Sequence, residues 1–404
     1  MKLFFTLSLL MLAVINLSAE NFYRSPDEMQ RFLQSSRGFF CRDAEKSAEL
    51  QQLNPEWKLE KIWPADGIKD IYASTCDDNG NVFFLTGDSF DFQIFQISDN
   101  GKVELRWTFP RMHNVPSDIG RFMTMKVDKD TLLLTEGRYI WISRLGKKLM
   151  FRLSNFPFLI KSVWLQGDRL MILGEKQLMS CDLSGKDRHT HFAANQAGKS
   201  LPLLQSNPLA SFYFGGMGKN LEEVILFYGG RQGAMGKYCL SKNTFTEITS
   251  LPEFNEQRYI FSVSQNKDNY LFSWAEKPQY GAIGIQFIYN ISSGKLTVLG
   301  SQINDFLKQF WKDMPRDMGI VWNKHHNITG AIVCNGKYLL YSGGGVKWEM
   351  RDDTPGCSGI VDLTKYPEGV SLKYPAVNGL YFHKDGKSLW AVEYYQVTKI
   401  TPAN

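Results

Sequence analysis

From Trp57 to the C-terminus, apolar and polar residues alternate in short runs separated by turn residues. Alternation with a period of two is the mark of strands whose two faces meet different surroundings. The stretch Ile71 to Trp107, IYASTCDDNGNVFFLTGDSFDFQIFQISDNGKVELRW, reads as four short strands joined by tight turns. Later stretches repeat its parts. WKLEKIW (Trp57–Trp63), KVELRWTFP, KKLMFRLSNFP, TFTEITSLP and KLTVLG are strands of one make-up, most followed by proline. One family of turns precedes them: Asp99-Asn100-Gly101, Leu145-Gly146, Ser184-Gly185, Lys242-Asn243 and Ser293-Gly294. A second family sits earlier in each unit, at Asp78-Asn79-Gly80, Asp128-Lys129-Asp130, Gly167-Asp168, Gly218-Lys219-Asn220, Asn266-Lys267-Asp268, Asn335-Gly336 and Lys384-Asp385-Gly386. These are residues that tolerate the positive φ of hairpin turns.

Four antiparallel strands per unit, repeated roughly every 40 to 70 residues, predict an all-β fold, a seven-bladed β-propeller. Six blades with one misread insertion is the alternative. The last unit, ending at Asn404, is one strand short. Trp57–Trp63 resembles the outer strands elsewhere and is predicted to complete it, which would remove the open edge of a linear array.

Before Trp57 the period changes. Ser25-Pro26-Asp27-Glu28 is a helix start, with Met29, Phe32 and Leu33 on one face. A second helical piece is predicted from Asp43 to Leu53, ending before Pro55. Lys2, the apolar run Leu3–Ile15 and a small-residue site ending at Ala19 read as a secretory signal peptide. The expected organisation is a leader over 1–19, a helical segment over 20–56 and the propeller over 57–404, secreted or periplasmic. No membrane span is expected in the mature chain.

Two turns carry a family resemblance. Asp78-Asn79-Gly80-Asn81-Val82-Phe83-Phe84 resembles the core of NHL-type propeller repeats. Lys384-Asp385-Gly386-Lys387-Ser388-Leu389-Trp390 is similar to the turn of YVTN/TolB-like repeats. Both imply propeller blades. These families include scaffolds, binders and enzymes, so the resemblance implies no activity.

Charge and cysteine content narrow the partners. The chain carries a net charge of +5 with its charges interspersed, so a nucleic-acid surface is not expected. Its six cysteines are too sparse for a disulfide scaffold. The strand order places Cys76, Cys181, Cys239 and Cys334 toward one face. Cys41 can reach Cys76 or Cys334 for a bridge; without one, the cysteines are expected as buried free thiols.

With strands lettered a to d from the axis outward, the short a–b and c–d turns share one face. The longer d–a and b–c connections share the other, and long loops on a rigid scaffold are where binding residues gather. Acids recur there near the end of strand b: Asp88, Glu136, Glu175, Glu276 and Glu393. They read either as an acidic ring at the channel mouth that holds a cation, or as charges that strand ends carry anyway. Arg231, Tyr280, Trp348 and Arg351 in the same connections add groups that stack on and hydrogen-bond a sugar or peptide. His189 and His191 share one side of a strand but sit on a solvated outer edge. Neither a Gly-x-Ser-x-Gly elbow nor a zinc-spaced Cys/His set occurs. The sequence therefore predicts an exported, non-catalytic module that binds a protein or glycan on the d–a/b–c face. No resident cofactor is expected. The alternative is an extracellular carbohydrate-active lyase or hydrolase using the same face.

Overall fold

A computed structural model of the chain describes residues 44–63, 71–87, 91–110, 123–154, 156–194, 201, 203–204, 210–229, 234–248, 259–266, 268–275, 285–300, 332–333, 338–343, 357–365, 371–375, 377, 379–393 and 396–403. The predicted leader, the helix begun at Ser25, and Cys41 and Cys334 lie outside these residues. Among the described residues no helix is long and apolar enough to cross a membrane.

The described chain opens with a helix, α1 (Ala44–Leu53), within a residue of its predicted start, and a strand, β1 (Trp57–Trp63). Strands β2 to β28 follow in antiparallel sheets of four. The first sheet holds β2 (Ile71–Cys76), β3 (Val82–Gly87), β4 (Asp91–Ile97) and β5 (Val103–Pro110). The second holds β6 (Met123–Asp128), β7 (Thr131–Glu136), β8 (Tyr139–Arg144) and β9 (Phe151–Leu153). The third holds β10 (Ser162–Gln166), β11 (Arg169–Gly174), β12 (Gln177–Cys181) and β13 (His189–Ala193). The fourth holds β14 (Ser211–Met217), β15 (Glu223–Gly229), β16 (Ala234–Cys239) and β17 (Thr244–Glu247). The fifth holds β18 (Tyr259–Asn266), β19 (Asn269–Ala275), β20 (Ile285–Asn290) and β21 (Leu296–Gly300). The sixth holds β22 (Ile332–Val333), β23 (Tyr338–Gly343), β24 (Cys357–Asp362) and β25 (Tyr374–Pro375), with two described residues in each of its inner and outer strands. The last joins β26 (Gly379–Phe382), β27 (Leu389–Val392) and β28 (Val397–Pro402) to β1, in the order β1-β28-β27-β26. Trp57 pairs with Pro402 and Trp63 with Val397.

First strands of neighbouring sheets touch one another, β2 with β6, β6 with β10 and β10 with β14, so they converge on a common axis as in a β-propeller. Where their side chains are described, the second strands are apolar on both faces because both are buried. In β3, Phe83 and Leu85 enter the core shared with the second sheet, while Val82 and Phe84 enter the core shared with the last. In β11, Leu170 and Ile172 face the second sheet, and Met171 and Leu173 face the fourth. Outer strands meet water on one side and alternate accordingly, as β5 does with Trp107 and Phe109 inward.

The turns use the predicted residues. Gly80, Gly101, Gly167, Gly185, Gly294 and Gly386 have positive φ, as do Lys129 and Asn243. Gly80 also has no room for a side chain, since a Cβ there would meet the backbone nitrogen of Lys384 at 2.8 Å. In the first turn the acceptor is Asp77, one residue before the motif read from sequence. Its carboxylate takes the amides of Asn79 and Asn81 at 2.9 and 2.8 Å.

Cys181 and Cys239 are free thiols. Cys181 is fully buried, and burial pushes its thiol up to about 11. Cys76 donates to the carbonyl of its neighbour Asp77 at 3.2 Å.

Candidate functional site

Three of the nine predicted site residues are described: Glu136, Glu175 and Glu393. Asp88, Arg231, Glu276, Tyr280, Trp348 and Arg351 lie outside the described residues. The three acids do not share one environment. Glu136 ends β7, is wholly buried, and accepts the indole N–H of Trp141 at 3.1 Å. Glu393 follows β27 and is 4% exposed. It accepts the Tyr374 hydroxyl at 2.7 Å, the Thr398 hydroxyl at 2.8 Å and the Gln396 amide at 3.0 Å on both oxygens. Glu175 alone stands in solvent, and it pairs with Lys161 at 2.8 Å. Two of the three strand-end acids are thus buried and hydrogen-bonded within the fold, Glu136 inside its own sheet and Glu393 between the last sheet and the sixth. Among the described residues, no group of three or more His, Cys, Asp and Glu side chains is placed to hold a metal ion.

Two polar clusters were not singled out from sequence. The first stands where the inner strands converge. Among the described residues, these strands carry only two charged side chains, Lys126 and Asp128, both on β6. Lys126 Nζ reaches Gln265 Oε1 on β18 at 3.3 Å and stands 3.7 Å from Asp128 Oδ2. Asp128 Oδ2 in turn accepts the amide of Leu165 on β10 at 2.9 Å. A lysine in an inner-strand set whose only other charge among the described residues is Asp128 is a signal the sequence did hold, once the strands are assigned to positions.

The second cluster joins the last sheet to the first. His383 Nε2 lies 2.6 Å from Asp99 Oδ1, and His383 Nδ1 lies 3.2 Å from Asp385 Oδ2. Lys384 also pairs with Asp99. Asp385 caps its turn by accepting the amides of Lys387 and Ser388 at 2.7 Å. Burial opposes ionisation of Asp385. The Ser388 hydroxyl, those two amides and His383 outweigh it and bring the carboxyl from its ordinary 3.8 to about 2. A carboxyl depressed on folding adds stability above its unfolded value, and that stability is lost as pH falls toward the folded value. Asp385 is 40% exposed, so screening reduces its share. Asp385→Ala is expected to cost about 1 kcal/mol at neutral pH. The gap from wild type should narrow between pH ~4 and ~2 in urea titrations. A gap of unchanged size at both ends would refute the assignment.

No family model matches the chain, and no curated protein matches it. Solved structures do. A catalytically inactive virginiamycin B lyase from Staphylococcus aureus, with quinupristin, aligns at a TM-score of 0.50 and 16% identity over 86% of this chain and 100% of that one. A streptogramin B lyase aligns at 0.49 and 14% identity over 86% of this chain and 98% of that one. The extracellular domain of a one-component system from B. thetaiotaomicron aligns at 0.47 and 14% identity, over 85% of this chain and 40% of that one. The first likeness shows the propeller fold. At that identity it shows nothing of activity.

Proposed function

We propose that the chain is an exported, seven-bladed propeller, completed by Trp57–Trp63, that binds a protein or glycan without catalysis on its d–a/b–c face. One observation carries this reading. Glu136 and Glu393, placed where an acid–base pair would be sought, have carboxylates committed to holding Trp141, Tyr374, Gln396 and Thr398. A general acid or base has to reach a substrate proton. The blade count of seven rests on the sixth sheet, whose middle strands β23 and β24 pair over six residues. A cation at the mouth would fall to Glu175 with Asp88 and Glu276, since the other two acids are engaged.

The second reading is a carbohydrate-active lyase or hydrolase on the same face. What favours it is that this fold also carries a lyase. It needs two carboxylates ~5–10 Å apart and open to substrate.

The test is a glycan array and pull-down with the purified mature chain. Retention of one glycan class or one protein, lost in Trp348→Ala and Glu276→Ala, is the expected result. Silence on both screens would sink the binding reading. Turnover of a captured glycan would favour the enzyme. N-terminal sequencing of exported material should begin at Glu20, and a chain still starting at Met1 would refute cleavage.

A further inference from the structure

The binding reading leaves the chemistry of the ligand open, and the channel bears on it. The sheet of β6 touches its neighbours on either side, and the sheet of β18 lies three places on. A contact between Lys126 and Gln265 therefore spans the space the inner strands enclose. It does so near the a–b turns, because Asp128 ends β6 and Asn266 ends β18. Gly216 on β14 makes the reach possible, since any Cβ there would collide with Gln265 Oε1 and the Tyr270 hydroxyl.

Among the described residues, the ammonium has one hydrogen-bond acceptor and one more distant carboxylate. It has three N–H donors. Gln265 takes one, and Asp128 stands beyond hydrogen-bond distance with its nearer oxygen already bonded to Leu165. Yet 35% of the Lys126 side chain meets solvent, in the midst of the ring. Burial lowers the lysine below its ordinary range, and Asp128 only partly restores it. A cation in that state gains from an anion that supplies the missing acceptors.

We propose that Lys126 is the base of an anion subsite within the channel, which takes a carboxylate or sulfate group borne by the ligand. This rests on the binding reading above for the ligand, but not for the subsite. Lys126 Nζ donates to one oxygen of the anion in place of water. Gln265 and Asp128 hold the ammonium in position. Of the groups that face it, Asp128 Oδ2 lies 3.7 Å away and accepts the Leu165 amide. The Tyr270 hydroxyl, engaged by Met217 O at 2.8 Å and raised well above its usual range by burial, stays protonated. Anion binding is therefore coupled to the charge on Lys126 and weakens as pH rises.

The test uses the purified full chain at fixed ionic strength. Sodium sulfate, D-galacturonate and neutral D-galactose are titrated by calorimetry at pH 6 and pH 9, with Lys126→Met, Lys126→Arg and Lys126→Gln alongside. Expected is binding of sulfate and galacturonate but not galactose, weaker at pH 9, reduced about tenfold or more in Lys126→Met and Lys126→Gln and partly kept in Lys126→Arg. Equal binding by wild type and a folded Lys126→Met or Lys126→Gln would overturn the proposal. So would absence of binding by wild type, which would leave Lys126 a structural tie between strands. Glycan retention indifferent to Lys126 would keep the binding reading and reject the subsite. Array silence with sulfate binding intact would do the reverse.

Discussion

A chain lacking residues 44–63 is expected to lose its cooperative unfolding transition. β1 contributes the outermost strand of the last sheet, pairing with β28 from Trp57↔Pro402 to Trp63↔Val397. Its removal exposes β28 as an open edge. It also removes Trp63, 8% exposed, from the core where the last sheet meets the first, a core it shares with Phe84, Ile97 and Trp390. Trp63 packs edge-on against Phe84 at 5.0 Å. α1 goes with it. Leu50 is fully buried against Leu372, Tyr374 and Leu380. Asn54 ties the helix end to Lys373, donating to its carbonyl at 2.7 Å and accepting its amide at 2.8 Å. At roughly 25 cal/mol per Å², one Trp and one Leu with their ladder amount to several kcal/mol, against a total stability of about 5–15. Urea unfolding followed by circular dichroism is the measurement, with dye binding as a check on exposed core. Trp63→Ala is the point-scale version, at about 3–5 kcal/mol. A truncated chain with a sharp transition within about 1 kcal/mol of the full one would show that the last sheet does not need its fourth strand.

That strand was legible because its alternation matches the other outer strands, and outer strands share one environment. Legibility elsewhere followed the same rule. The second strands read as unbroken apolar runs because two cores compete for them, and VFFL and LMIL divide cleanly between neighbours. The turns were legible because positive φ selects Gly and Asn, and the structure uses Gly80, Gly101 and Asn243 in that way. What sequence could not give was the direction of a side chain at a strand end. Glu136, Glu175 and Glu393 occupy nearly the same offset in their blades, yet the first and last turn inward and the second does not. Glu136 has Trp141 five residues on as a donor, and Glu393 has Gln396 and Thr398. Glu175 has Ser180 at the same five-residue offset, but the Ser180 hydroxyl is engaged by Arg169 and His191, and Glu175 pairs with Lys161 at the surface. Lys126 escaped notice for the opposite reason. Its meaning depends on Gln265, whose proximity comes from ring geometry rather than from spacing.

Glu393→Ala is expected to destabilise the protein by about 4 kcal/mol, and the sign of the effect matters more than its size. The carboxylate accepts the Tyr374 hydroxyl, the Thr398 hydroxyl and one Gln396 contact on Oε1, and a second Gln396 contact on Oε2. Tyr374 comes from the sixth sheet and Thr398 from β28, so one side chain joins two sheets and the turn between β27 and β28. Removing it leaves these donors buried, at about 1–3 kcal/mol each and less than additively. Glu393→Gln keeps the volume but sets its amide against the Gln396 amide. It should cost about 2 kcal/mol. Glu175→Ala, at the same offset but in solvent, should cost well under ~1 kcal/mol. Denaturant midpoints with unchanged slopes would measure all three. Carboxylates held ready for a ligand are commonly a burden on the fold, and their removal stabilises. If Glu393→Ala unfolds at or above the wild-type midpoint, Glu393 belongs to the binding face after all, and the argument against an acid–base pair there falls with it.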